Sequence, residues 1–251
     1  MGTALITGAS SGLGLEFAWQ LATLRHNLVL VARDAGRLAQ HAERIGAAAG
    51  VSVEVLPADL ADREQTERVA QRLRAKTGPV GLLVNNAGFG PSGSFLELPV
   101  EGSERALDVM ARSVMVLSHA AANAMTVRGR GAICNVASVA AFTSAGPYSA
   151  VKAWVLSFTE GLASELAGTG VTATALLPGL TRTEFHARAG LDYSAYPRAA
   201  WLSAADVVAT ALADVRRGAV VSIPSLRYGV IGRVARVAPR GLVRAVARSG
   251  R

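Results

Sequence analysis

Short apolar runs alternate with longer stretches of helical periodicity along most of the chain. The runs at 3–6, 27–32, 51–56, 80–84, 131–136, 171–177 and 219–223 have the length of strands and little polar interruption, as strands covered on both faces do. Between them, 13–24, 35–49, 63–76, 103–128, 148–167 and 203–216 repeat apolar residues at three- and four-residue intervals. Strands and helices in regular alternation predict an α/β fold with a parallel sheet and crossover helices. Ligands of such sheets bind at the carboxyl ends of the strands, near the point where strand order reverses.

The first strand run leads straight into Thr7-Gly8-Ala9-Ser10-Ser11-Gly12-Leu13-Gly14, which opens the first helical pattern. Gly8 suits a tight turn, Gly12 lets backbone approach a phosphate, and Gly14 lets helix and strand pack closely. The free N–H groups and positive dipole end of the helix then face the anion. The pattern points to a bound pyrophosphate, and so to a nucleotide.

Composition narrows the picture. With 251 residues, 51% of them hydrophobic, the chain suits one well-cored domain. The first strand run starts within three residues of the N-terminus, and no run of about 18 apolar residues suggests a membrane span. An intracellular, cytoplasmic protein is expected. The single cysteine, Cys134, lies in an apolar run and reads as a core residue. The net charge of +8 is uneven: no acidic residue follows Asp214, and Arg227, Arg233, Arg236, Arg240, Arg244, Arg248 and Arg251 follow it. The division expected is a catalytic domain over 1–226 and a basic amphipathic tail over 227–251.

Candidate chemistry falls behind the later strands. Tyr148 and Lys152 stand four apart, stacked on one helix face. A nearby cation favours the phenolate, so Lys152 can bring Tyr148, which ordinarily titrates near pH 10, towards the range of general acid/base catalysis. Ser138, just past the fifth strand run, is placed to hydrogen-bond a substrate oxygen.

Together these residues resemble the classical short-chain dehydrogenase/reductase family over roughly residues 3–225. The resemblance rests on Thr7 to Gly14, Asp59-Leu60, Asn85-Asn86-Ala87-Gly88, Ser138, Tyr148-x-x-x-Lys152, and Pro178-Gly179 followed by Thr183. It implies a Rossmann fold with a doubly wound, seven-stranded parallel sheet and helices on both faces. It further implies no metal, and reversible hydride transfer between a nicotinamide cofactor and a carbonyl or alcohol. In the family pattern Tyr148 exchanges the proton, Lys152 holds the nicotinamide ribose and lowers the tyrosine pKa, and Ser138 orients the carbonyl. Asp59 would contact adenine, Asn86 would support the central strands, and Thr183 would help hold the carboxamide; Leu60, Ala87, Gly88, Pro178 and Gly179 complete the cofactor set. Two departures stand out. Met110 occupies the position of the family's relay asparagine, and only nine residues separate Ser138 from Tyr148.

The second strand run ends at Ala32-Arg33, where NAD-preferring relatives carry an acid for the ribose 2′-hydroxyl. A guanidinium suits a 2′-phosphate, so NADP(H) is expected over NAD(H), with Arg33 as discriminator and Ser10 or Ser11 as further donors. The stretch Leu180 to Leu202, with Phe185, His186, Leu191, Tyr193, Tyr196, Pro197 and Trp201, reads as a largely apolar substrate wall. Phe89 faces it from the other side, and the substrate expected is a hydrophobic ketone or alcohol. In the tail, arginines three and four apart among Val230, Ile231, Val234, Leu242, Val243 and Val246, with a break at Pro239, suit an anionic membrane surface. Docking on its own domain or a neighbouring subunit, or a solvated tail, fits the same pattern. Nucleic acid does not, since the tail offers only Tyr228 for stacking and no recognised motif. A homodimer or homotetramer is expected through the helices carrying Met110 and Tyr148, with Trp154, Phe158 and Leu162 serving core or interface. The leading reading is an NADPH-dependent reductase. A cofactor-binding protein with its relay impaired at Met110, or a non-redox acid/base enzyme using Tyr148, are the alternatives.

Overall fold

The computed structural model describes residues 2–90, 95–97, 99–144, 146–185, 197–238 and 241, with the backbone alone at Arg233, Ala235, Arg236 and Val237. Seven parallel strands form one sheet: β1 Thr3–Thr7, β2 Asn27–Ala32, β3 Val53–Pro57, β4 Val80–Asn85, β5 Gly131–Val136, β6 Val171–Leu176 and β7 Val221–Ser222. Their order is β3-β2-β1-β4-β5-β6-β7, the doubly wound Rossmann arrangement, with the reversal between β1 and β4. Helices α1 Gly12–Thr23, α2 Ala35–Ala49, α3 Arg63–Arg74, α4 Val100–Leu107, α5 Ser113–Val127, α6 Gly146–Glu165, α7 Ala204–Arg216 and α8 Leu226–Val237 complete the described elements, with short 3-10 turns at Val139–Phe142 and Arg198–Ala200.

The unbroken apolar strands follow from this layering. Ala4, Ile6, Leu28, Leu30 and Val84 join Phe17, Leu21, Leu38, Val207 and Ala211 in one core. Their neighbours in sequence, Leu5, Val29, Val31 and Leu83, point to the opposite face and pack with Val69, Leu73, Leu117 and Leu166. Alternate residues of one strand therefore enter two different cores, and both sets must be apolar.

Two elements depart from the sequence expectation. The apolar run 219–223 yields only a two-residue strand, and its first residue, Ala219, gives its N–H to Asp214 O at the end of α7. The pattern over 103–128 is not one α-helix. It begins at Val100 and contains a π-helical turn at Asp108–Arg112, across which the Ser113 N–H reaches Asp108 O. The Ser113 hydroxyl donates to Val109 O at 2.7 Å. One extra residue in a turn re-aims side chains without disturbing a helical hydrophobic pattern enough to be read.

A polar network crosses the interior behind the carboxyl ends of β4 and β5. Asn85 Nδ2 donates to Asn135 Oδ1 at 2.9 Å and to Ser118 Oγ at 3.1 Å, and Asn135 Nδ2 donates to Thr159 Oγ1 at 3.0 Å. All four side chains are buried, so each bond made there avoids a desolvation cost. Asn135→Leu should lower the free energy of unfolding by about 2 kcal/mol, because the Asn85 amide loses a buried acceptor; urea denaturation measures it.

Candidate active site

The turn after β1 and the turn after β4 meet at the reversal point. Gly8 and Gly12 hold φ of +67° and +56°, and a Cβ on Gly8 would lie 2.8 Å from Asn86 Nδ2. A Cβ on Gly14 would overlap the Gly8 carbonyl oxygen. Asn86 Nδ2 donates to Thr7 O at 2.9 Å and to Gly8 O at 3.3 Å. Thr7 Oγ1 accepts from Asn86 N at 2.9 Å and Ala87 N at 3.0 Å. Helix α1 then starts behind the N-cap Ser11 with no acidic residue in its first turn, leaving its N-terminal dipole end positive towards the cleft.

That cleft has a volume of about 800 Å³. At its centre it is lined by Gly8, Ser10, Ser11, Gly12 and Leu13; Gly14 lies behind the turn and does not line it. At one end lie Ala32, Arg33, Asp59 and Leu60, and at the other Pro178, Gly179, Thr183, Ser138, Tyr148 and Lys152. Asn86, Ala87 and Gly88 lie between, and Phe89 and Phe185 border the catalytic end. Tyr193, with His186, Leu191 and Tyr196, lies outside the described residues. A cradle that side chains at Gly8 or Gly12 would crowd, opening on a helix N-terminus, fits a dinucleotide pyrophosphate.

Ser138 caps the 3-10 turn Val139–Phe142: its Oγ accepts from Ala140 N at 3.1 Å and donates to Pro178 O at 3.5 Å. This compact turn accommodates the short spacing to Tyr148. Gly146, with φ of +80°, starts α6, and Thr143 Oγ1 lies 2.9 Å from Ser149 Oγ. Tyr148 therefore sits in the first turn of α6, with Lys152 one turn further on. Lys152 Nζ donates to Val136 O at 2.8 Å and stands 5.7 Å from the Tyr148 ring centroid. Lys152 is 4% exposed, and burial pushes its ammonium down to about 8. The Tyr148 and Phe185 rings lie 6.1 Å apart.

The π turn carries Met110 into this region, where it packs with Ala106, Val109 and Val151. A Cβ on Gly88 would lie 3.0 Å from Met110 Sδ and 3.7 Å from Lys152 Nζ. Thioether and ammonium thus border the same space. The Met110 side chain cannot donate a hydrogen bond there.

At the other end, Asp59 Oδ2 accepts from Arg105 Nη2 at 2.6 Å and Asp59 Oδ1 from Ala61 N at 3.0 Å. Burial opposes charge on this carboxylate, but the Arg105 hydrogen bond, the Ala61 N–H and the charges of Arg105 and Arg33 outweigh it and hold Asp59 below its usual range. Asp34, next to Arg33 in the sequence, accepts from Arg37 N at 2.9 Å as the N-cap of α2. Arg37 also lines the cleft and pairs with Glu184 at 3.1 Å. Sequence reasoning missed Arg37, Arg105 and the Asn85 network. Arg37 had a signal, since it follows Arg33 by four residues; Arg105 had none.

Residues 2–194 match the family model described as short chain dehydrogenase. An uncharacterized oxidoreductase of Staphylococcus saprophyticus is 37% identical over 183 residues, 72% of this chain and 78% of that protein. Among solved structures, a short-chain dehydrogenase from Sphingobium yanoikuyae in complex with NADPH is 38% identical, with a TM-score of 0.86 over 93% of both chains. A bulky-bulky ketone specific alcohol dehydrogenase from Comamonas testosteroni is 34% identical, with a TM-score of 0.82 over 93% of this chain and 92% of that one. The chain belongs to the short-chain dehydrogenase/reductase family, as an oxidoreductase that binds a nicotinamide cofactor.

The buried ammonium sets a pH dependence of stability. Native Lys152 loses its proton near pH 8 and an unfolded lysine near 10.5, so between those values the unfolded chain binds more protons and stability rises with pH. Below pH 8 the full penalty, up to about 3 kcal/mol, is present. Lys152→Met should therefore unfold at higher urea than the parent at pH 7, and the gap should close between pH 8 and 10.5.

Proposed function

We propose that the protein is an NADPH-preferring carbonyl reductase (EC 1.1.1.-), or alcohol dehydrogenase in reverse, acting on a hydrophobic ketone or alcohol. The observation that carries this reading is the buried Lys152 ammonium, held by Val136 O next to Tyr148, in the same cleft as the glycine turn. A bound nicotinamide would supply or receive the hydride. Tyr148 gives its proton to the carbonyl oxygen in reduction and removes it from the alcohol in oxidation. Lys152 favours the phenolate by its charge, and Ser138 Oγ, free to exchange its long bond with Pro178 O for one to substrate, orients the carbonyl. Gly8, Ser10, Ser11, Gly12 and Leu13 hold the pyrophosphate, with Gly14 permitting the turn. Asp59 and Leu60 take the adenine, Asn86, Ala87 and Gly88 the middle of the cofactor, and Pro178, Gly179 and Thr183 the carboxamide end.

Arg33 selects the 2′-phosphate. The neighbouring Asp34 carboxylate is turned onto the α2 N-terminus, which leaves the ribose edge to guanidinium groups. Phe89 and Phe185 give the reacting end an aromatic border. The ketone named for the Comamonas relative is bulky on both sides, and the same class suits this pocket. The packing of Met110 beside Lys152 favours one rival reading, a cofactor-binding protein whose proton relay is impaired.

Residues 1–226 form the catalytic domain in this reading and 227–251 a basic extension. Leu226, Val230, Ile231 and Val234 of α8 are 92, 60, 58 and 60% exposed, and the extension has seven arginines and no acid. An apolar stripe among cations matches an anionic membrane surface. Among the described residues no helix is long and apolar enough to cross a membrane, so the contact proposed is peripheral, in a cytoplasmic protein. On α6, Trp154 and Phe158 stack at 4.9 Å towards the outside, while Leu162 packs on the core. The first two are offered as an interface of a homodimer or homotetramer.

Absorbance at 340 nm should fall with NADPH and an aryl ketone, at a rate lost in Tyr148→Phe; binding without turnover, restored by Met110→Asn, would favour the impaired relay. Arg33→Asp should shift the ratio of kcat/KM for NADPH over NADH towards NADH by about tenfold or more, one lost charge-assisted bond being worth that much. The full chain should co-sediment with phosphatidylserine vesicles and not with phosphatidylcholine vesicles, and Val230→Asp with Val234→Asp should abolish the difference.

A further inference from the structure

Residues 180–182 and 200–202 lie side by side where the chain leaves the sheet after β6 and comes back to α7. Leu202 N donates to Leu180 O at 2.8 Å, Arg182 N donates to Leu202 O at 3.0 Å, and Thr181 and Leu202 form a parallel bridge. This small ladder uses neither the Leu180 N–H nor the Ala200 carbonyl. Both are taken by a single side chain from the far end of the sequence: Tyr228 OH accepts from Leu180 N at 3.3 Å and donates to Ala200 O at 2.9 Å. One phenol thus joins the two arms of the neck.

The ring of Tyr228 also explains Gly179. That residue does not have a positive φ, so its backbone conformation does not call for glycine. A Cβ there, however, would overlap the Tyr228 ring. The glycine that borders the catalytic end of the cleft is therefore required by an aromatic ring behind it. One turn along α8, a Cβ on Gly232 would lie 2.8 Å from the Phe142 ring, and Phe142 ends the 3-10 turn that starts beside Ser138. Pro178 O in turn accepts from Val139 N at 3.1 Å and from Ser138 Oγ at 3.5 Å. The inner face of α8 braces Ser138's turn on one side and the Pro178–Leu180 segment on the other.

We propose that Tyr228 is a positioning residue for the substrate end of the site, fixing through Gly179, Leu180 and Ala200 the segment that carries Thr183 and Phe185 into the cleft. The role rests on the reductase reading for its effect on turnover, but its structural part stands apart from it. Removal of the hydroxyl leaves Leu180 N and Ala200 O without their partner while the ring still fills its place on Gly179. A loosened segment costs affinity for a ketone large enough to touch Phe185 and costs little for a small one, because pre-organisation of the wall is what is lost.

The test compares full-length parent, Tyr228→Phe and Tyr228→Trp, the last being a ring without a hydroxyl at that point. Hydrogen exchange on the protein without added ligand should be about tenfold faster at residues 179–182 in Tyr228→Phe, one hydrogen bond being worth about that factor, with exchange in β1, β4 and β5 unchanged. With saturating NADPH, KM for a diaryl ketone should rise about tenfold and kcat should change less than about twofold, while KM for a small aliphatic ketone stays near the parent value. Unchanged local exchange in Tyr228→Phe overturns the proposal. Faster exchange with the KM of the large ketone unmoved overturns its part in substrate selection. A general loss of protection across the sheet also overturns it, as the signature of a merely structural residue. A parent that turns over no ketone defeats the reductase reading, and the exchange result then decides the position of Tyr228 by itself.

Discussion

The close approach of two backbone turns at the point where the sheet reverses direction is the constraint on which the remaining architecture depends. The turn after β1 and the turn after β4 can touch only because Gly8 and Gly14 lack side chains, and Asn86 and Thr7 bind them together through amide and hydroxyl groups. A neutral, hydrogen-bonded junction places the N-terminus of α1 against the cleft. The same junction fixes β1 beside β4, and so separates the Arg33 and Asp59 end of the cleft from the Tyr148 and Lys152 end. Ligand binding at this place follows from topology, since two loops diverging from adjacent strands leave a crevice between them.

The Tyr148 and Lys152 end of the cleft carries an electrostatic tension. Lys152 is held as a cation in a nearly water-free place by one carbonyl, that of Val136, and by the face of Tyr148. Burial of this kind costs stability, and the Asn85, Ser118, Asn135 and Thr159 network ties β4 to β5, the strand that carries Val136. Met110, which borders the same space at Gly88, offers a thioether and no hydrogen-bond donor there.

The Arg33 and Asp59 end is built on charge. Arg33, Arg37 and Arg105 gather around Asp59 and Asp34, whose carboxylates are already engaged by Arg105 and by the α2 backbone. With those two carboxylates engaged, Arg33 faces the cleft at this end. Arg37 is shared with Glu184, which belongs to the segment next to the reacting end, so the two halves of the site are joined across the cleft by an ion pair as well as by the sheet.

Most of the fold and the meeting of Ser138, Tyr148 and Lys152 in one cleft were legible in the sequence, because each depends on a local requirement that leaves a local trace. A strand covered on both faces must be apolar throughout, a turn against a phosphate must lack side chains at set places, and a tyrosine and lysine on one helix face must stand four apart. The π turn left no trace, since a single added residue hardly alters a helical period. Arg105 meets Asp59, and Tyr228 meets Leu180 and Ala200, across long stretches of chain, and no spacing rule connects such residues. The amino-acid pattern by itself thus determined the layers, the glycine turn and the Ser138, Tyr148 and Lys152 set. Tertiary structure alone decided which carboxylates were already neutralised, what packs against Lys152, and that the start of the basic tail is docked by Tyr228 and Gly232, because charge compensation and packing are properties of neighbours in space.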